Sequence, residues 1–392
     1  AIRNKGGIVA CWNLVFRRYR EGLSIKTILR ESWKSRIGTG YFEWQERFEK
    51  LTPQDMSAIR KQIQGLQSPP LISILMPVYN PDPHLLRQAL DSVQNQIYPY
   101  WELCIADDAS PNAQIQTILE DYCRADSRIH VIFRKENGHI CAASNSALGL
   151  CTGTYTALMD HDDILPEVAL YFVAMEITQH PDAMLIYSDE DLLSPQDKRY
   201  NPHFKPDFNP DLLTSVNYIC HLFVVKKELL DRVGGFRQEF DGAQDYDFIF
   251  RCTEQAKEIV HIPQVLYHWR CHQNSTASNP ESKMYAFEAG SRAIMAHYER
   301  MGIPAVKVEK GVDYGIYHTT FEIQGEPLVS VIIPNKDHSQ DLDVCVRSLM
   351  EKSSYRNLEF IIVENNSSQK ETFAYYDKMQ AEHSNFRVVT WK

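Results

Sequence analysis

The densest group of chemically capable side chains is Asp160-His161-Asp162-Asp163, which places three carboxylates within four residues. Carboxylates at this spacing repel one another, and a bound cation relieves that repulsion. Mg²⁺ and Mn²⁺ favour oxygen ligands and often use one or two carboxylates together with substrate phosphates. Such a cation neutralises the charge that develops on a departing diphosphate. The cluster equally suits a solvated acidic turn in which Asp163 caps the chain before Pro166, so both interpretations stay open.

Two motifs nearer the amino terminus offer groups that a nucleotide could contact. One carboxylate of Asp107-Asp108-Ala109-Ser110 could accept a hydrogen bond from a nucleobase N–H or a ribose hydroxyl, and Tyr79 offers an aromatic face. Each also has a simpler structural interpretation when taken alone. The first would be a turn whose Asp or Ser caps the next helix, and the second an ordinary packed aromatic side chain.

Two later motifs could complete a reactive site. Asp245, within the acidic stretch 241–247, could act as a general base if the chain folds back to the first cluster. The alternative is a capped helix start ahead of Phe248-Ile249-Phe250. In His268-Trp269-Arg270-Cys271-His272, a histidine could ligate a metal and Arg270 could contact phosphate, although a lone histidine is more often structural.

The elements that must position these groups alternate between strands and helices. Short apolar runs predict buried parallel strands at Leu71–Met76, Leu103–Ala106, Ile129–Phe133 and Tyr155–Met159. Helical stretches between them lie at about His84–Gln94, Ala113–Asp121 and Ala142–Leu150. This rhythm predicts an α/β fold with a mostly parallel, doubly wound sheet. Ligands of such sheets bind beyond the carboxyl ends of the strands, and the polar motifs fall at those ends.

Residues 1–70 predict a helical amino-terminal segment. Thr52, Pro53 and Asp55 have the order of a helix start, with Thr52 as the N-cap and Pro53 at the first position. Residues 1–36 carry nine Lys or Arg against two Glu, although the whole chain has a net charge of −10. This basic start suits either a helix on an anionic membrane surface or a solvated helical face.

The composition argues against several classes of protein. A net charge of −10 disfavours a general nucleic-acid binder. Nine scattered cysteines without a CxxC pair favour a reducing compartment over a disulfide scaffold or a thiolate zinc site. No apolar run reaches the ~18 residues of a membrane span. The missing P-loop, GxGxxG, HExxH and GxSxG motifs disfavour the common nucleotide hydrolases, dehydrogenases and serine hydrolases.

The chain also contains an internal repeat. Val329–Asn335 echoes Ile72–Val78, and residues 360–367 echo residues 103–110, both at a separation of 257 residues. Because the second copy stops about two strands in, it could not bury both faces of its sheet alone. We therefore expect residues 326–392 to be the truncated start of a second such domain in a longer protein.

Taken in order, seven short motifs resemble those of the inverting family 2 glycosyltransferases of the GT-A fold. They are Pro77-Val78-Tyr79-Asn80, Asp107-Asp108-Ala109-Ser110, Glu136-Asn137-Gly138, Asp160-His161-Asp162-Asp163, Gly234-Gly235-Phe236, Gln244-Asp245-Tyr246-Asp247 and His268-Trp269-Arg270. The resemblance covers about residues 71–300 and resumes at 328, which predicts a GT-A domain at 71–310. Residues 187–191 and 202–207 resemble stretches of bacterial multi-domain members that build surface polysaccharides.

The resemblance implies a role for each matching side chain. Nucleotide binding would involve Pro77, Tyr79, Asp107, Asp108, Asn137 and Asp160. The metal, Mn²⁺ or Mg²⁺, would be held by Asp162 and His272. The catalytic base that deprotonates the acceptor hydroxyl would be Asp245. Further candidates for contacts to the diphosphate or the acceptor are Asp163, Gln244, His268 and Arg270.

The implied activity is inverting sugar transfer from a UDP- or dTDP-sugar to a glycan acceptor, in which a lipid-linked glycan would suit the basic start of the chain. The implied location is the cytoplasm, at the inner face of the membrane. Two departures from the family pattern matter. Gln244 stands where many relatives have Glu. In the second copy of the repeat, Glu364-Asn365-Asn366-Ser367 replaces the first acidic motif, and no metal-binding motif follows within the sequence. Two alternatives stay open, a sugar nucleotidyltransferase and a non-catalytic module that binds nucleotide sugars or glycans.

Overall fold

The computed structural model describes residues 40–271, 284–313 and 315–391. The basic segment 1–36 and His272, both included in the predictions above, lie outside these residues. The chain divides after Thr320 into two compact units. Among the described residues, no helix combines the length and the apolar character needed to cross a bilayer.

The larger unit is built around one eight-stranded sheet in the order β3-β2-β1-β4-β7-β5-β6, with β8 paired to β5. Its strands are β1 (Ile72–Val78), β2 (Trp101–Asp107), β3 (Ile129–Phe133), β4 (Tyr155–Leu158), β5 (Leu185–Leu193), β6 (Arg199–His203), β7 (Phe223–Lys226) and β8 (Ile259–Arg270). Strands β1 to β4 are mutually parallel, and β8 is parallel to β5. Strands β6 and β7 run antiparallel to their neighbours. The predicted α/β class with a mostly parallel, doubly wound sheet is confirmed.

Helices cover both faces of this sheet. They are α1 (Pro53–Gly65), α2 (Pro83–Gln94), α3 (Ala113–Ala125), α4 (His139–Leu148), α5 (Ala169–Gln179), α6 (Pro210–Leu213), α7 (Lys227–Val233), α8 (Gln244–Thr253) and α9 (Met284–Met301), with a further helical stretch at 40–48 and a short 3₁₀ helix at Gln238–Phe240. Alternate residues of β1 face two different cores. Ile74 packs with α2, α3 and α5, whereas Leu75 packs with α4, α8 and α9. A strand that is apolar on both faces must be central, which is why β1 is a continuous apolar run.

Local sequence signals explain several helix starts. Thr52 and Asp55 form a reciprocal capping box at α1, with Pro53 in the first turn, as predicted. Asp82 is the N-cap of α2 and accepts from the backbone N–H groups of His84 and Leu85. The predicted helix at 142–150 is displaced, because α4 begins three residues earlier, at His139. Gly138 therefore stands directly at the start of that helix.

Strands β9 (Ala305–Lys310) and β10 (Tyr317–Phe321) form a separate two-stranded sheet. The smaller unit contains β11 (Val329–Asn335), β12 (Leu358–Glu364) and β13 (Phe386–Thr390), in that order and all parallel. Its helices are α10 (Ser339–Lys352) and α11 (Lys370–Glu382). They pack on a small core that includes Val346, Phe360 and Met379.

The repeat seen in the sequence is also a repeat of backbone structure. Strand β1 pairs with β2, and β11 with β12, in registers that correspond at the same separation of 257 residues. The left-handed backbone of Asn80 recurs at Asp337. The backbone N–H of each of these two residues donates to a serine, Ser110 at 2.7 Å and Ser367 at 3.0 Å. The two segments therefore share the turn geometry that follows the first strand as well as the strands themselves.

Candidate active site

A pocket of about 660 Å³ opens at the carboxyl ends of β1 and β4. Of the residues predicted to form the site, those that line it are Pro77, Asp160, Gln244 and Asp245. The strand ends supply the first two, and the start of α8 supplies the second two. The chain thus brings together side chains about 80 residues apart in sequence, at the edge of the sheet where parallel architecture places ligands.

Within the described residues, one group of side chains is arranged to hold a cation. Asp160, Asp163 and His221 each offer a ligand atom, and these atoms lie within 4.8 Å of one another. The Nδ1 atom of His221 is buried and has no hydrogen-bond partner, which is costly for a polar atom unless a ligand satisfies it. Two carboxylates and an imidazole are a donor set suited to a divalent cation. Asp162 is not among the three residues, so its assignment as the metal ligand stays a prediction.

Asp163 is more deeply buried than its neighbours in the acidic cluster, with 1% of its surface exposed. Its carboxylate accepts from the Tyr267 hydroxyl at 2.6 Å and from the backbone N–H of Arg270 at 2.7 Å. Burial raises the pKa of Asp163 well above its usual range, and the charges of Asp162 and Asp160 raise it further. The suggestion that Asp163 caps the following turn is therefore incomplete, because its side chain binds β8.

Asp245 lies in the first turn of α8, at the pocket wall. The side-chain amide of Asn217 donates to its Oδ2 at 2.9 Å. Burial raises the pKa of Asp245; the charge of His221 opposes this shift and that of Asp160 adds to it. The adjacent Gln244 accepts from the backbone N–H of Gly242 at 3.1 Å. Asp245 is thus a carboxylate held in one orientation, with a proton affinity above that of an exposed aspartate.

The predicted nucleotide-binding residues after β2 are engaged within the protein. Asp108 accepts from Arg134 Nε at 2.6 Å and from the backbone N–H of Gly138 at 3.0 Å. Asp107 accepts from the Ser110 hydroxyl at 2.5 Å. These carboxylates organise the turns at this edge of the sheet, and neither lines the pocket.

The other two predicted nucleotide contacts lie beside these turns. The side-chain amide of Asn137 donates to the backbone carbonyl of Asp108 at 3.3 Å. Tyr79, just beyond β1, is half exposed. Neither residue lines the pocket. The assignment of these residues to nucleotide binding stays a prediction.

Arg270 and His268, both in β8, bind groups of neighbouring segments of the protein. The Arg270 guanidinium donates to the Asp162 backbone carbonyl at 2.9 Å and to Asp197 at 2.6 Å. It also donates to the side-chain oxygen of Gln88 at 2.9 Å. His268 is buried, and its Nδ1 lies 2.6 Å from a carboxylate oxygen of Asp191. Arg270 thus binds the backbone of the acidic cluster. It lies close to the site but does not line the pocket.

Sequence reasoning missed His221 because it precedes an antiparallel strand. Strand β7 runs opposite to β4, so its start, not its end, lies at the edge that carries the pocket. Reasoning from parallel strands examined only the residues that follow each strand. The available signal was weak: His221 directly precedes the apolar run 222–225, and no second polar residue marks it. The pocket walls also include Trp269 and Tyr285, to which no role was assigned from sequence.

Comparison with known proteins gives the family context. Residues 73–234 match the sequence model described as "Glycosyl transferase family 2". The chain is 39% identical over 377 residues to "Uncharacterized protein y4gI" of Sinorhizobium fredii, covering 95% of this chain and 42% of that protein. It is 37% identical over 322 residues to the O-antigen biosynthesis protein RfbC of Myxococcus xanthus, covering 82% of this chain and 25% of that protein. The chain thus spans less than half the length of either relative.

A solved structure of Staphylococcus aureus TarS 1–349, in complex with UDP-GlcNAc, is 20% identical with a TM-score of 0.48. The match covers 58% of this chain and 66% of that chain. The sheet topology described above, together with the matched segment, agrees with the GT-A fold that the resemblance implied. Over residues 73–234 the protein is therefore similar in sequence to glycosyl transferase family 2.

Proposed function

We propose that this protein transfers a sugar, with inversion, from a nucleotide-sugar donor to a glycan acceptor with the help of a divalent metal. The observation that carries the proposal is the convergence on one pocket of Asp160, His221 and Asp245. A cation suits the charge of a diphosphate leaving group, and a carboxylate of raised pKa suits a general base. The family match and the name of the Myxococcus relative support a role in bacterial surface polysaccharide synthesis.

The residues of the cation group fit a divalent metal such as Mn²⁺ or Mg²⁺. Asp160 and His221 would hold it at the pocket wall, and Asp163 would contribute from the buried side. When bound, the metal supplies positive charge that stabilises the diphosphate leaving group. Arg270 would act through the backbone, by fixing the carbonyl of Asp162 beside these carboxylates.

In the proposed reaction, Asp245 takes the proton of the acceptor hydroxyl as that oxygen attacks the anomeric carbon. The new bond joins the acceptor oxygen to this carbon, and the bond between the carbon and the donor diphosphate breaks. The bonding electron pair leaves with the nucleoside diphosphate. A single displacement on the face opposite the leaving group inverts the anomeric configuration. A raised pKa makes Asp245 a stronger base, and Asn217 fixes its orientation.

The resemblance to family 2 glycosyltransferases supports a proposal for the donor and for the location. We propose a UDP- or dTDP-sugar as the donor, and a lipid-linked glycan as the acceptor. This places the reaction on the cytoplasmic face of the membrane. The basic segment 1–36 would associate with anionic lipid there, since it carries nine Lys or Arg against two acids.

One experiment separates this proposal from its alternatives. The protein is incubated with Mn²⁺ and a panel of nucleotide sugars, with a mixture of lipid-linked and free glycans as acceptors. Release of nucleoside diphosphate supports the sugar transferase. Release of pyrophosphate in a reaction with nucleoside triphosphate and sugar phosphate would instead show a nucleotidyltransferase. Donor binding without any turnover would show a binding module.

A further inference from the structure

A buried lysine outside the pocket holds part of the pocket wall. The side chain of Lys205 has no exposed surface. Its ammonium donates to the backbone carbonyl of Ile219 at 2.7 Å and to that of His221. The third partner is the Glu190 carboxylate, at 3.4 Å. An ammonium has three donors, so all of them are directed at the segment 219–221 or at its acidic neighbour.

The Glu190 carboxylate contacts the same segment at the other backbone group of His221, its N–H. Its Oε2 accepts from the backbone N–H of His221 at 3.3 Å, and its Oε1 lies 3.3 Å from His203 Nδ1. Burial alone would raise the pKa of Glu190, but the charges of Lys205, His203 and His221 outweigh it and hold this pKa below its usual range. The peptide groups on both sides of His221 are therefore bound by one buried ion pair.

Neither member of this pair is used by the proposed reaction. Neither lines the pocket, and both belong to the stretches 187–191 and 202–207, to which no role has yet been given. A buried ion pair is poor evidence for a gain in stability, because desolvation of the two charges offsets their attraction. What the Lys205–Glu190 pair does achieve is geometric, since it fixes the backbone that carries one of the three cation-binding groups.

The imidazole of His221 has two ring contacts that the structure shows, and the one with Trp269 is edge-on, with 6.1 Å between the ring centroids. Its ring stacks on that of Tyr267, with 4.5 Å between the ring centroids. These ring contacts set the plane of the imidazole. The backbone contacts to Lys205 and Glu190 fix the chain from which the ring projects. The ring contacts and the backbone contacts together hold His221 beside Asp160 and Asp163.

We propose that the buried Lys205–Glu190 pair is a positioning device that fixes His221 for metal binding. The inference rests on the proposed function in one respect, namely that the group Asp160, Asp163 and His221 holds a divalent metal. It extends that proposal by assigning a role to two residues that touch neither metal nor substrate. Groups that orient a metal ligand in this way typically change metal affinity about 10- to 100-fold when removed.

The test measures Mn²⁺ affinity directly, by titration calorimetry, and does not rely on activity. Lys205→Met removes all three donors with little change of shape. It also strands the Glu190 carboxylate, so the double variant Glu190→Gln/Lys205→Met serves as a version without an unpaired buried charge. The control is Glu102→Gln, which alters an equally buried carboxylate. Glu102 lies at the start of β2, away from the strand ends that carry the pocket. Circular dichroism melting curves establish that each variant is folded at the temperature of the titration.

We expect both Lys205 variants to bind Mn²⁺ about 10- to 100-fold more weakly than the wild type, with the affinity of Glu102→Gln unchanged. Wild-type affinity in the folded double variant would overturn the positioning role while leaving the proposed function intact. An equal loss in Glu102→Gln would also overturn it, because the effect would then follow general destabilisation. Absence of Mn²⁺ binding in the wild type would overturn the metal site itself, and this inference with it.

Discussion

Replacement of Asp245 by Asn tests the proposed base with little change to the fold. The Asn side chain has nearly the same shape, and its carbonyl oxygen can still accept from the Asn217 amide. General bases typically contribute about 10²- to 10⁴-fold to a rate, which corresponds to about 3 to 5 kcal/mol of transition-state stabilisation. We expect a fall in kcat within that range. Donor binding should be retained, because the acceptor hydroxyl, not the donor, gives its proton to Asp245.

The pH profile gives a second measure of the same role. Because the pKa of Asp245 is raised, the acid limb of the wild-type kcat/KM profile should lie above the range of an exposed aspartate. The ionised form is the active base, so activity is present above this pKa and is lost as the pH falls through it. In Asp245→Asn the limb should disappear from the residual activity.

The assay is release of nucleoside diphosphate under saturating Mn²⁺, for wild type, Asp245→Asn and a matched control. Asp211→Asn is the control, since Asp211 also lies in the first turn of a helix but is exposed and does not line the pocket. It should retain wild-type kcat. If Asp245→Asn kept both its kcat and its acid limb, the base would have to be another group.

Three further predictions concern the metal, the acid stability and the amino terminus. His221→Ala should weaken Mn²⁺ binding about 10-fold or more in a calorimetric titration; unchanged affinity would remove His221 from the metal site. Burial raises the pKa of Glu102, but hydrogen bonds from Ser73, Thr152 and Gly153 outweigh it and hold this pKa below its usual value. Its stabilising contribution should therefore be complete above the unfolded-state pKa and lost as the pH falls through the folded-state pKa. Glu102→Gln should lower the free energy of unfolding at pH 7 by about 1 to 3 kcal/mol and reduce its acid dependence, as measured by urea titrations at several pH values; an unaltered pH dependence would contradict this. A peptide of residues 1–36 should sediment with vesicles of anionic lipid and be released by salt; binding of equal strength to neutral vesicles would refute the electrostatic account.

The sequence was sufficient to predict the parallel half of the sheet and the edge that carries the pocket. Strands β1, β2 and β4 are buried on both faces, and this pattern distinguishes a central parallel strand from the largely exposed edge strand β3. Thr52 and Asp55 predicted the start of α1 because a capping box depends on a spacing of three residues alone. The repeat at residues 329–335 was visible because both copies carry an apolar strand with a proline at the same position, Pro77 and Pro334.

The contacts within the site could not be predicted, because they depend on elements distant in sequence. Asp163 is bound by β8, about 100 residues later, and no local pattern distinguishes it from the half-buried Asp160 and Asp162. Arg270 was expected at phosphate, yet its donors reach backbone and side chains of three other segments. His221 needed knowledge that β7 runs antiparallel, which is a property of the assembled sheet.

The most direct test of the central claim is whether nucleotide binding requires a cation held by the acidic cluster. UDP and dTDP are titrated into the protein with and without Mn²⁺, for the wild type and for Asp160→Asn. We expect binding of at least one nucleotide that depends on Mn²⁺ in the wild type and is weakened in Asp160→Asn, since the pocket joins this carboxylate to the proposed metal site. The account would be contradicted if the wild type bound nucleotide equally well without Mn²⁺, or if the Asp160→Asn variant bound it as strongly as the wild type.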